Sequence, residues 1–212
     1  MITLTSYFMV LTAALLHALW NSLVKTNEKK SLVVFLISLA HLVFGIVLSF
    51  FSLFPELSAW PYLIASTIVH LAYLFFLYQS YKWGDLSEVY PLMRGIAPLI
   101  VTLGAFLFIG ELPLGNGMVG IIFVSFGIII LSLYSFFYSI SYKALNFALL
   151  TGICIASYTL LDGIGARESK TALGYISWLF ILEGIGGIII FWRISKKLNL
   201  ILDKKTVIQG TL

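Results

Sequence analysis

Charge is what this sequence has least of: Asp, Glu, Lys and Arg together make up 10% of it, against about 25% in an ordinary soluble domain. A chain of 212 residues that is 60% hydrophobic cannot hide so much apolar surface from water. That excludes a soluble globular domain. There is one cysteine, Cys154, so no intrachain disulfide can form and nothing implies an oxidising compartment. No phosphate-cradling Gly-Lys-Ser/Thr loop is present, which removes ATP as the direct energy source. His17, His41 and His70 fall on three separate apolar segments without carboxylates at ligand spacing, so no metal site and no cofactor are expected. A net charge of +4, spread unevenly, speaks for membrane topology rather than nucleic-acid binding.

What the sequence has in abundance is long apolar runs, and its mean hydropathy is +1.04. About 20 apolar residues cross the hydrocarbon of a bilayer as a helix. Seven segments qualify: Tyr7–Val24, Leu32–Phe54, Tyr62–Tyr81, Leu92–Ile109, Met118–Phe137, Ala144–Ile164 and Leu173–Trp192. The runs are unbroken rather than alternating, which favours helices over a β-barrel. The expected fold class is therefore an all-α integral membrane protein, a multi-span helical bundle with lipid as its main partner. The first segment has no basic leader ahead of it, so it reads as a span and not a signal peptide.

Loop charges orient the bundle, because Lys and Arg gather on the cytoplasmic side. One side holds ten of them (Lys25, Lys29, Lys30, Lys82, Lys143, Arg193, Lys196, Lys197, Lys204 and Lys205) and the other only Arg167 and Lys170. The count puts the first loop in the cytoplasm and the N-terminus outside.

Polar residues inside apolar spans are costly, about 2.5–3.5 kcal/mol for an arginine at the bilayer centre. Those that persist are functional candidates. Arg94 opens the fourth span, where it either lines a cavity or anchors a loop, or else snorkels to the interface. Pro91 and Pro98 flank it and act as helix kinks that leave backbone carbonyls unpaired. Glu183 is mid-span and must be protonated, paired or facing water. It is the ion-coupling candidate, with the proton as the ion, or else a structural partner of Arg94 or His70. His17, Trp20 and Asn21 share one helix face that lines a substrate path or bonds to neighbouring helices. Tyr73, Tyr90, Tyr158 and Trp178 complete the substrate-path candidates as an aromatic cavity, with interface anchoring as their alternative. Asp162 is expected to pair with Arg167, and Glu111 to be a solvated loop residue. No nucleophile or metal cluster at one depth supports an enzyme.

Internal symmetry adds one more signal. At an offset of 138, Ala14 and Ala18 fall on Gly152 and Ala156, and Trp20 falls on Tyr158. Small residues four apart let helices approach closely. The first and sixth spans cross in opposite directions, as an inverted repeat requires.

The stretches HALWNSLVK (first span), YPLMRGIAPLIVTLGAFLFIGE (fourth) and YTLLDGIGAR (sixth) resemble the EamA branch of the drug/metabolite transporter superfamily. The resemblance implies a secondary carrier of two inverted five-helix repeats. Such a carrier moves amino acids, other small metabolites or drugs through a central cavity of the bacterial cytoplasmic (inner) membrane, with export as the direction. It also implies cytoplasmic termini, against the loop-charge count. Residues 1–137 match a complete first repeat, and residues 144–212 match the first two helices of a second, with Thr206–Leu212 as the start of an eighth helix. The expectation is thus a C-terminally truncated carrier, non-functional as it stands, or a seven-helix form completed as a homo-oligomer. The alternative is a structural or regulatory membrane subunit that is not itself a carrier.

Overall fold

The computed structural model describes residues 4–26, 30–113, 115–138 and 141–196. Seven α-helices account for almost all of them: α1 (Leu4–Thr26), α2 (Lys30–Ser49), α3 (Trp60–Trp83), α4 (Leu86–Gly104), α5 (Asn116–Tyr138), α6 (Tyr142–Glu168) and α7 (Ala172–Lys196). No strand occurs among the described residues. Each helix lies where an apolar segment was expected. Four stretches are long and apolar enough to cross a membrane: Leu57–Trp83, Leu86–Ile109, Tyr142–Glu168 and Ala172–Phe191. Shorter apolar stretches, Tyr7–Leu19, Val33–Ser49 and Asn116–Ile128, lie in α1, α2 and α5. An all-helical chain with four such helices is built as a membrane protein. The segment Thr206–Leu212 lies outside the described residues.

Local chemistry moves several boundaries from their expected places. The second span was expected to run to Phe54, but α2 ends at Ser49. Pro55 disfavours helix at Phe54, and the chain unwinds through Phe50 and Phe51 turns before a 3-10 turn at Leu57–Ala59. In the other direction, α4 starts at Leu86 rather than Leu92, because Asp85 and Glu88 form a capping box. Glu88 Oε2 accepts the Asp85 N–H at 3.1 Å, satisfying donors that open a helix. Pro91 and Pro98 both lie inside α4 and remove the amides that would have bonded the Ser87 and Arg94 carbonyls. The helix then widens into a π turn over Ala105–Ile109 and stops at Gly110, in the left-handed region with φ 72°. Ser141 caps α6 by accepting the Ala144 N–H at 3.2 Å.

The main packing pairs are α2 on α7, α3 on α6, and α4 on both α5 and α6. Between α2 and α7 the backbones nearly touch. A Cβ at Gly45 would meet the Ile181 nitrogen at 2.8 Å, and one at Gly184 would meet the Leu42 nitrogen at 2.6 Å. A larger core brings together Tyr81, Val89, Met93, Ala97, Ala148, Ile155 and Phe191, and a smaller one Ala59, Leu63, Tyr175 and Leu179. Outward faces are apolar, among them Phe44 and Val47 on α2 and Phe123, Phe126 and Ile130 on α5. In water such continuous apolar surface would drive aggregation, and lipid is its natural cover. Most described side chains of α1 are exposed in the same way.

Candidate functional site

Helix α7 carries Glu183 into the bundle, where only 4% of the residue is exposed. A lone buried carboxylate would be expensive, and two imidazoles from two other helices meet it. His41 on α2 places Nδ1 3.3 Å from Oε2, and His70 on α3 places Nδ1 3.1 Å from Oε1. Oε1 is fully buried and lacks a well-aligned hydrogen bond, so that second contact is mainly electrostatic. His41 is held by stacking on Phe180, rings 4.8 Å apart and 7° from parallel.

His70 is the hub. Its Nδ1 also lies 3.0 Å from the Ser66 carbonyl and 3.1 Å from Ser66 Oγ. The carbonyl can only accept, so the geometry puts a proton on Nδ1. Nε2 faces Asp162 Oδ2 at 3.9 Å. The other Asp162 oxygen accepts from Ser66 Oγ at 2.5 Å and from the Tyr175 hydroxyl at 3.0 Å. Two carboxylates, two imidazoles and two hydroxyls from α2, α3, α6 and α7 therefore form one network. Protonating any carboxylate or imidazole in it changes what holds α7 to α2 and α3.

Aromatic rings continue the network toward α4. Tyr158 stacks on His70 with centroids 3.8 Å apart, and Tyr73 meets Tyr158 edge-on at 5.6 Å. Tyr73 lies beside Arg94, whose Cζ lies 5.6 Å from the centre of the Tyr90 ring. The charge of Arg94 also reaches His17 on α1. Because α4 begins six residues earlier than expected, Arg94 is its ninth residue. It stands two turns inside the helix and is half-buried.

Five of the expected residues thus come together: Tyr73, Tyr90, Arg94, Tyr158 and Glu183; His17 stands on α1, half-buried. The side chains of Trp20 and Asn21 lie outside the described residues. Trp178 stands apart, in an aromatic cluster with Phe54 (5.1 Å) and Trp60 (5.4 Å). Asp162 does not pair with Arg167. Arg167 instead holds Glu111, Nη1 to Oε1 at 2.7 Å, and both side chains are more than half exposed. The sequence reading named His70 only as an alternative structural partner of Glu183, a pairing the structure shows, gave Asp162 to Arg167, and left out His41, Ser66 and Tyr175. The signal available for the histidines was that each lay mid-span, where a titratable group needs a partner.

A separate cavity of about 390 Å³ opens between the end of α3 and the start of α6, lined by Gln79, Trp83, Lys143, Asn146 and Phe147. It contains none of the network residues. Comparison with protein-family models, with curated protein sequences and with solved structures finds no match to this chain.

Proposed function

We propose that this chain is a secondary carrier of small metabolites, or drugs, of the EamA type, working as an exporter in a bacterial cytoplasmic membrane without covalent chemistry. The observation that carries the reading is Glu183, buried inside an apolar bundle between imidazoles of two other helices. Nothing in packing alone calls for two carboxylates and two histidines there, since apolar residues would fill the volume at lower desolvation cost. A carrier uses such a group: a proton bound on one side of the membrane loosens α7 from α2 and α3, and its release on the other restores the contact. The proposed coupling ion is the proton.

The repeat organisation belongs to the same proposal: 1–137 as a first five-helix repeat and 144–212 as the opening of an inverted second. Support comes from the α2–α7 contact. Gly45 meets Ile181 and Gly184 meets Leu42; a shift of 139 residues carries Gly45 to Gly184 and Leu42 to Ile181. A contact that maps onto itself in this way is what a two-fold relation between equivalent helices generates.

The test is counterflow of labelled metabolites into vesicles holding the purified chain, followed across pH 5 to 8 with recovery of unaltered label. Wild type is expected to show pH-dependent exchange, and Glu183→Gln a flattened profile. An unchanged profile in Glu183→Gln removes proton coupling. No exchange of any metabolite overturns the reading of this chain as a working carrier.

A further inference from the structure

Arg94 is the one charge of the network with no opposite charge. Among the described residues no carboxylate lies within ion-pair distance of it. The carboxylates of the network are already engaged, buried Glu183 by His41 and His70, and half-buried Asp162 by Ser66, Tyr175 and His70. Tyr73, Tyr158 and the His70 ring stand in sequence between them and Arg94. The side chain of Arg94 instead lies over the Tyr90 ring, Cζ 5.6 Å from its centre, on the side of the bundle where Tyr73 stands.

A guanidinium carries five N–H donors in a planar fork. Stacking over the Tyr90 ring leaves them unused. Inside a membrane bundle that is an expensive state, and it is relieved by a ligand that brings a matching charge. Two parallel N–H···O bonds to a carboxylate fit the fork best. One arginine balances one negative charge, so a dianion such as a phosphate monoester would carry its surplus charge into a low-dielectric site. The surrounding rings favour a flat, unsaturated body next to the acid. Pro98 adds a fixed acceptor by depriving the Arg94 carbonyl of its helical donor.

We infer that Arg94, seated over the Tyr90 ring, is the receptor for the single carboxylate of an aromatic or otherwise planar organic acid. This rests on the carrier reading in so far as the acid is the transported species, and it names the substrate class.

The experiment separates the two. Thermal unfolding of the purified chain in detergent is measured with three acid and amide pairs of equal shape: phenylacetate and phenylacetamide, phenylalanine and phenylalaninamide, nicotinate and nicotinamide. Inorganic phosphate is the fourth probe, and counterflow of the same compounds is run in vesicles. At least one acid is expected to raise the melting temperature while its amide does not. Arg94→Gln is expected to weaken that acid roughly ten- to hundred-fold, the scale of a charge-assisted hydrogen bond. Arg94→Lys keeps the charge but not the fork and is expected to fall between, which also guards against a Gln variant that fails to fold. Binding of an acid without its counterflow leaves the site standing and overturns the carrier reading. Equal binding of acid and amide, preference for phosphate, no stabilisation by any acid, or an undiminished acid response in both Arg94 variants overturns the inference. None of those four results bears on the carrier reading, which the counterflow arm decides.

Discussion

His70 Nδ1 stands 3.1 Å from Glu183 Oε1, a contact that joins α3 to α7 inside the bundle. Its value lies in coupling and not in net stability, since the contact about offsets the cost of taking the carboxylate and the imidazole out of water. His70→Ala and Glu183→Gln should each destabilise the folded chain, and the double variant should lose less than the two singles added together. The expected coupling is about 0.5–3 kcal/mol, read from a double-mutant cycle of unfolding in detergent. Strict additivity would mean that the two groups do not act on each other.

Tyr158 covers the His70 imidazole with its ring, 3.8 Å away and 23° from parallel. The ring and not the hydroxyl makes this contact. Tyr158→Phe should therefore keep the stability of the wild type to within about 1 kcal/mol, the net worth of one hydrogen bond. Tyr158→Ala should lose about 3 kcal/mol, the lower end of the aromatic truncation range, because the side chain is half-buried. Equal losses in the two variants would show that the hydroxyl, and not the stack, carries the interaction.

Helix positions were legible because hydropathy is a property of each segment by itself, and seven apolar runs gave seven helices. Pro91 and Arg94 were visible as anomalies within one run. The network was harder to read, because its members come from α2, α3, α6 and α7 and only packing decides which meet. Asp162 shows the limit. Arg167 follows it by five residues and looked like its partner, but the side chain of Asp162 turns inward to Ser66 and Tyr175. The α4 start was misplaced because Pro91 reads as a boundary, whereas the Asp85–Glu88 capping box starts the helix ahead of it.

Gly45 and Gly184 set how closely α2 and α7 approach. Alanine is a better helix former than glycine by about 1 kcal/mol, so on propensity alone Gly45→Ala would stabilise. The new Cβ would sit 2.8 Å from both the Ile181 nitrogen and the Ser177 oxygen. Backbone cannot rotate away, and overpacking of this kind costs about 1–3 kcal/mol. The clash should win, and the melting temperature of Gly45→Ala in detergent should fall. The same holds for Gly184→Ala against Leu42. A rise in either variant would show that the two helices have room to separate, and with it that the His41–Glu183 contact is adjustable.

Glu111 and Arg167 make the shortest ion pair among the described residues, 2.7 Å, yet their side chains are 59% and 57% exposed. Distance and worth part company here. An exposed pair is screened by water and salt, and its median contribution is about 0–1 kcal/mol. Glu111→Gln should thus leave thermal stability within about 1 kcal/mol of wild type, with any loss shrinking as salt rises from low to physiological ionic strength. Its exchange in vesicles should keep the wild-type pH profile, in contrast to Glu183→Gln, because a solvated carboxylate outside the bundle has no reason to gate the pairing of α7. A flattened profile in Glu111→Gln would move the proton site from the core to this exposed end, and His41 and His70 would then be left with a purely structural part.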